Sequence, residues 1–200
     1  MIDPAPAYAQ PPRKLVLASA SPRRKSLLTR LGCAPDAVTA SDIDETPRSD
    51  ERPRDYALRM GREKAEACAV EGAYILAGDT VVAAGRRILP KAETRDEADR
   101  CLSILSGRRH DVFSSVVLRH PDGTMRHKIS VTCVQFKRLS DAERTAYLAT
   151  DEWRGKAGGY AIQGAAEGLI RTIRGSHSGV MGLPLYEARI LLKSAGFPIG

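Results

Sequence analysis

Apolar and polar positions change period several times along this 200-residue chain, and each change predicts an element. "KLVLA" (14–18) is a short apolar run ending in small residues, the mark of a strand. Ser21 and Pro22 then read as an N-cap and first helical position, Leu27, Leu28 and Leu31 form an apolar stripe, and Gly32 stops the helix. Residues 41–53 are polar, acidic and Pro-containing, which predicts a loop, and a helix follows from Arg54 to Glu71. "AYILAGDTVVAAG" (73–85) predicts a strand broken at Gly78 and Asp79. "TRDE" (94–97) is a capping box for a helix ending at Gly107, and "SDAE" (140–143) is a second box. Strand patterns at 110–120 and 124–139 flank "PDG" and predict a hairpin. The second of them changes parity between Cys133 and Val134, so a β-bulge is expected there. The Gly-rich stretch 150–168 predicts a functional loop with a short ordered core. "LIRTI" (169–173) predicts a strand, and residues 183–196 a closing helix with Pro184 near its start and Gly196 past its end. Helices and strands that alternate early, with a hairpin in the middle, predict an α/β fold with a mixed sheet.

Composition narrows the class. Hydrophobic residues at 42% suffice for a core, and charged residues at 28% are ordinary for a soluble protein. The longest apolar runs fall far short of a membrane span. Residues 1–13 have neither the basic start nor the apolar centre of a secretory signal; a disordered Pro-rich leader is expected there, with residues 14–200 as a single domain in the cytoplasm. Cys33, Cys68, Cys101 and Cys133 lie 35, 33 and 32 residues apart, but their flanks share nothing, so this is no repeat. Without a CxxC pair they are expected to be free thiols rather than zinc ligands. A net charge of +7 reflects either arginine-favouring codon usage or an anionic partner. Nucleic acid is disfavoured as that partner, because aromatics make up only 5% and no basic stretch is interleaved with them.

The first candidate chemistry is an electrostatic conflict. Arg23 and Arg24 stand in the first turn of a helix, where the dipole is positive and acidic residues belong. Two solvated arginines are the plain reading. The other is an anion site, since backbone N–H groups, the hydroxyls of Ser19 and Ser21 and two guanidinium groups converge on one spot. Lys64 is the second conflict: it lies mid-stripe with Ala57, Met60, Ala67 and Cys68, either snorkelling to water or aimed into a cleft. Acidic groups sit where a metal could use them: Asp42, Asp44 and Glu45 in the loop, and Asp79 at the end of a buried strand with Gly78 allowing close approach. Lys91 has a similar edge position. In "GKAGGYAIQG" (155–164), Gly158 and Gly159 let backbone approach a ligand, and Tyr160 and Gln163 are candidates to stack on and hydrogen-bond a base. No P-loop, GxSxG or HExxH pattern is present.

Taken in order, "LASASPRRKSLL", "SDIDE", "REKA", "GDTVV", "LSGRRH", "GKAGGYAIQG" and "GLPL" resemble the Maf family of nucleoside triphosphate pyrophosphatases over nearly the whole chain after residue 13. The resemblance implies a Maf/ITPase-like α/β fold, with a long bent mixed sheet flanked by helices and two lobes around a cleft. It implies a cytoplasmic homodimer that hydrolyses the α–β bond of nucleotides with a divalent metal, Mg²⁺ or Mn²⁺. The family's active-site residues match Ser19, Arg23, Arg24, Glu45, Lys64, Asp79, Lys91 and Gln163. "GDT" and "AGGYAIQG" look like the branch acting on dTTP and UTP, whereas the branch acting on 7-methyl-GTP has Gln after the Asp. Two departures are "LPKA" (89–92), where the family more often has "GKP", and Ser114, where Thr is usual.

On this resemblance the expected chemistry is in-line attack of water on the α-phosphorus. Glu45 and Asp79 would bind the metal, with Asp79 also orienting or deprotonating the water. Lys64 and Lys91 would offset charge on the pyrophosphate leaving group, Arg23 and Arg24 would hold phosphates, and Thr80 and Gln163 would read a pyrimidine edge. The alternative is a nucleotide-binding regulator of septum formation without turnover, a role historically linked to the family.

Overall fold

The structure, a computed structural model, describes residues 13–199. The chain enters as β1 (Leu15–Leu17), whose three residues are all buried, and turns into α1 (Pro22–Arg30). The expected cap is in place: Ser21 Oγ accepts from the Arg24 N–H at 3.4 Å, and Gly32 follows the helix at φ 72°. β2 (Ala37–Val38) is a two-residue strand too short to leave a pattern in the sequence. α2 (Pro53–Ala67) stops four residues before the expected Glu71, because Cys68 turns extended to bury its thiol in the core. β3 (Tyr74–Ala77) and β4 (Thr80–Ala84) are the two halves of the predicted broken strand. β5 (Arg87–Leu89) and the short β6 (Lys91–Ala92) lead to α3 (Arg95–Leu105), which carries the full capping box between Thr94 and Glu97.

The predicted hairpin is β7 (Arg109–Arg119) and β8 (Met125–Phe136), turned at Gly123 with φ 85°. The second capping box, Ser140 with Glu143, opens α4 (Asp141–Leu148). The Gly-rich stretch holds β9 (Lys156–Ala157) and a 3₁₀ turn (Ala165–Leu169). β10 (Ile170–Arg174), α5 (His177–Met181) and α6 (Leu185–Ser194) complete the chain. Of the expected leader, residues 1–12 lie outside the described residues; Arg13 donates to the Gly196 carbonyl at 2.8 Å. No helix of the described residues is long and apolar enough to cross a membrane. The four cysteines are free thiols, three of them buried.

The expected bulge in β8 is not there. The β7–β8 ladder runs without a shift from Arg109↔Gln135 to Arg119↔Met125. The apparent change of parity arises because β8 buries polar Ser130 and Thr132 on its core side, while Val131 faces outward. Thr132 earns that position through hydrogen bonds: its Oγ1 accepts from the Ser176 N–H at 2.9 Å and donates to the Ser176 carbonyl at 3.3 Å. The irregularity lies instead in β10, where the register with β8 slips between Ile170 and Thr172.

The main sheet is mixed, in the order β10-β8-β7-β3-β1-β2. β1 is parallel to both β2 and β3, and both faces of β1 and β3 are buried, as their continuous apolar runs require. β3 and β4 lie end to end along β7: Ala77 pairs Val117, and Thr80 pairs Ser114. Beyond β3 the sheet continues to β1, whereas beyond β4 it continues to β5. The sheet therefore forks at Gly78 and Asp79. One lobe packs α1 and α6 on β1 and β3 around Leu15, Leu27, Leu76 and Leu192. The other packs α3 and α4 around Leu102, Phe136, Tyr147 and Trp153. The cleft opens in the fork.

Candidate active site

Gly78 and Asp79 interrupt the sheet because nothing larger fits at the first and a bond network holds the second. A Cβ on Gly78 would fall 2.3 Å from the Ser115 carbonyl oxygen. Ser115 Oγ accepts from the Asp79 N–H at 3.0 Å and donates to the Ala57 carbonyl at 2.6 Å, while the Ser115 N–H donates to the Asp79 carbonyl at 2.9 Å. These contacts pin the Asp79 backbone against α2 and β7, with its side chain in a cleft of about 390 Å³.

Ser19, Arg23, Arg24, Glu45, Lys64, Asp79, Thr80, Lys91 and Gln163 all line that one cleft, although they come from six separate stretches of chain. Lys64 does not snorkel. It is 6% exposed, and its Nζ lies 2.6 Å from Asp79 Oδ1 and 2.8 Å from Glu45 Oε1. Lys91 Nζ holds the other Glu45 oxygen at 2.6 Å, so charges alternate along Lys91, Glu45, Lys64 and Asp79. Burial raises the Glu45 carboxyl, but the two ammonium groups outweigh it and bring its pKa down to about 2. Tyr56 fixes the loop by donating to the Glu45 carbonyl at 2.6 Å; its own hydroxyl is pushed up to about 12 by burial and by the Asp79 and Glu45 charges. Of the three acidic residues of "SDIDE" only Glu45 lines the cleft: Asp42 is exposed, and Asp44 turns back to accept from the Thr46 N–H at 2.9 Å.

On the facing wall Arg24 is held by three hydrogen bonds. It donates to the Gly182 carbonyl at 2.7 Å, Ser19 Oγ at 3.1 Å and Thr80 Oγ1 at 3.5 Å. Burial lowers its pKa, against the opposing pull of Asp79 and Glu45. Arg23 donates to the Met181 carbonyl at 3.2 Å, and burial and the Arg24 charge lower its pKa. Gly182, the first residue of "GLPL", and Met181 just before it thus supply the carbonyls that hold the arginine pair. Ser114, at the second departure from the family pattern, donates to the Gly179 carbonyl at 2.6 Å. Lys91, at the first, opens β6, whose pairing with β9 fixes its backbone.

Tyr160 corrects an expectation. It is 4% exposed, its hydroxyl lies 2.8 Å from His110 Nε2, and its ring stands edge-on to Phe136 and His110, so it is a core side chain and no stacking platform. Gln163 is exposed at the cleft. Two residues important to the cleft escape a reading of the sequence, Ser115 buried behind Asp79 and Lys156 in the lining itself. Ser115 gave no signal beyond a pair of serines in an apolar strand, and Lys156 was hidden among glycines, although a cation in a ligand-approaching loop is itself a cue.

The fold and cleft define an α/β protein whose site sets arginines at a helix N-terminus against lysine-paired carboxylates. The chain belongs to the Maf family: residues 14–195 match the family described as Maf-like protein. It is 58% identical to a Novosphingobium aromaticivorans protein named dTTP/UTP pyrophosphatase, covering 100% of both chains. A Rhodospirillum rubrum protein of the same name is 56% identical, with 93% of this chain and 90% of that one covered. A solved Mycobacterium abscessus structure, titled nucleoside-triphosphatase / dITP/XTP pyrophosphatase, aligns at 18% identity and TM-score 0.43 over 93% of this chain and 100% of its own.

Proposed function

We propose that this cleft hydrolyses the α–β phosphoanhydride bond of nucleoside triphosphates, with dTTP and UTP as substrates, yielding the monophosphate and pyrophosphate. The carrying observation is Asp79, buried and held 2.6 Å from Lys64 in the fork, facing the Arg23 and Arg24 wall. A triphosphate bears about four negative charges near neutral pH, and this cleft provides the helix N-terminus and cations to meet them. The names of the relatives support the same substrates.

Water attacks the α-phosphorus as the bond to the β-phosphate oxygen breaks, and Asp79 orients the water and takes its proton. Lys64 and Lys91 offset the charge that develops on the departing pyrophosphate. Thr80 and Gln163 read the pyrimidine edge. Among the described residues no group of three or more His, Cys, Asp or Glu side chains gathers as a metal cage. Asp79 and Glu45 nonetheless direct two hard oxygen ligands at one cation, Lys64 Nζ, and such a pair suits Mg²⁺ or Mn²⁺, which takes one or two carboxylates and fills its shell from phosphates and water. Glu45 and Asp79 would hold that ion, which when bound neutralises phosphate charge and acidifies water. On the family resemblance we extend the reading to a cytoplasmic homodimer.

The test is pyrophosphate release from dTTP, UTP, CTP and GTP with Mg²⁺ or Mn²⁺. Release from dTTP and UTP ahead of the others is expected. Nucleotide binding with no turnover would instead favour a non-catalytic regulator.

A further inference from the structure

Five cations line the cleft, and their commitments differ. Lys64 and Lys91 are occupied by Glu45 and Asp79. Arg24 places three of its five N–H donors on Ser19, Thr80 and Gly182. Arg23 and Lys156 remain. Each donates to a backbone carbonyl, Met181 for Arg23 and Arg154 at 2.9 Å for Lys156, and among the described residues neither has a carboxylate within ion-pair distance. They stand on opposite walls, Arg23 at the start of α1 and Lys156 on β9.

Lys156 is not carried on a slack loop. Its strand pairs with β6 in the register Ala92↔Lys156 and Lys91↔Ala157. The Gly155 N–H donates to the Ala92 carbonyl at 2.8 Å and the Gly158 N–H to the Pro90 carbonyl at 3.0 Å. Gly158 sits at φ 70° with no room for a side chain, since a Cβ would meet Val82 Cγ1 at 2.8 Å. This ribbon presents a half-buried ammonium to the cleft from a fixed backbone. Burial and the facing Arg23 charge lower the Lys156 pKa, against Glu152 and Glu93, so the two cations feel each other across the gap. Two like charges held in one cleft are a standing cost that an anion between them removes.

We propose that Lys156 is a substrate-binding residue that grips the β- and γ-phosphates of a nucleoside triphosphate from the wall opposite Arg23. The assignment rests on the hydrolase reading above, in which Asp79 marks the α-phosphorus. The phosphates beyond it carry most of the triphosphate's charge; Lys64 and Lys91 are already paired with carboxylates and Arg24 is tied to Ser19, Thr80 and the Gly182 carbonyl, which leaves Arg23 and Lys156, each held by one backbone carbonyl, as the least committed cations of the cleft. Product pyrophosphate would leave past the same pair.

Calorimetric titration of the full chain with inorganic tripolyphosphate and with UMP tests this, on wild type, Lys156→Gln and Lys156→Arg. Lys193→Gln serves as the control for a lost surface charge. Lys156→Gln should weaken tripolyphosphate binding about 10- to 100-fold, the loss of one charge-assisted contact. It should raise KM for dTTP and UTP more than it lowers kcat and leave UMP affinity within about 2-fold, while Lys156→Arg recovers most of the loss. Unchanged tripolyphosphate affinity in Lys156→Gln, or an equal loss for UMP, overturns the proposal. Wild-type protein that binds tripolyphosphate but turns over no nucleotide sinks the hydrolase reading alone, because the effect of Lys156 on tripolyphosphate is read without turnover.

Discussion

Lys64 Nζ lies 2.6 Å from Asp79 Oδ1, and both side chains are buried at the point where the sheet forks. The two halves of this pair are not equivalent. Lys64 has a second carboxylate in Glu45, whereas Asp79 has Lys64 as its ion-pair partner among the described residues. Lys64→Met therefore strands a buried carboxylate and should cost about 3–5 kcal/mol of stability. Asp79→Asn should cost less and lower kcat by roughly 10²–10⁴-fold through loss of the base. The double variant should regain stability over Lys64→Met without regaining activity. Thermal denaturation and pyrophosphate release on the three proteins check this; a double variant no more stable than Lys64→Met refutes the pairing argument.

Arg23 and Arg24 separate in the same kind of experiment. A positive charge at a helix N-terminus is unfavourable, so its removal alone is neutral or slightly stabilising. That expectation holds for Arg23→Ala. Arg24→Ala also removes three hydrogen bonds, to Ser19, Thr80 and the Gly182 carbonyl, and should lower ligand-free stability by about 1–3 kcal/mol. Scanning calorimetry without ligand reads the difference directly. Equal melting temperatures for Arg24→Ala and wild type would mean that those three contacts contribute nothing net.

His110 makes stability depend on pH. Burial pushes its pKa from 6.5 down to about 4, so the unfolded chain takes a proton that the folded chain refuses. Stability should fall as pH drops from 6.5 towards 4, by on the order of 3 kcal/mol from this group, and should flatten with respect to it outside that window. His110→Phe should remove the extra slope. Urea denaturation of both proteins between pH 4 and 7 is the measurement, and parallel stability curves would show that His110 is not its source.

Gln163→Glu should change base choice more than bond cleavage. An amide donates and accepts at once, which suits the O4 and N3–H edge of uracil and thymine. The carboxylate loses the donor, so kcat/KM for UTP and dTTP should fall more than any basal rate on CTP. Equal losses for UTP, dTTP, CTP and GTP would place base reading elsewhere.

Much of this was legible from local chemistry. The Ser21, Thr94 and Ser140 caps and the Gly123 turn each depend on residues within four positions of one another. The cleft residues stood out because they conflict with their local setting: arginines at a positive helix end, a lysine in an apolar stripe, an aspartate ending a buried strand. The misreadings concern residues whose partners are distant. Thr132 looks like an outward position until Ser176 satisfies it, and Tyr160 looks like a ligand platform until His110, fifty residues earlier, takes its hydroxyl. Short strands such as β6 and β9 exist only as a pair, so neither leaves a periodic trace.

The fork also sets how the walls of the cleft can shift. The strands on either side of Gly78 and Asp79 lean end to end on one edge of β7 in the long β7–β8 hairpin, which acts as a spine with one leaf along each half of its length. A bend in that spine would widen or narrow the gap without breaking a rung within either leaf. Points on the hinge line travel least and points on the leaf tips travel most. Asp79 lies on the line, bound to the spine through Ser115, while Arg23 and Lys156 ride on opposite leaves. On the function proposed for the cleft, the grip of Arg23 and Lys156 on an anion would tighten or release while Asp79 stays in register.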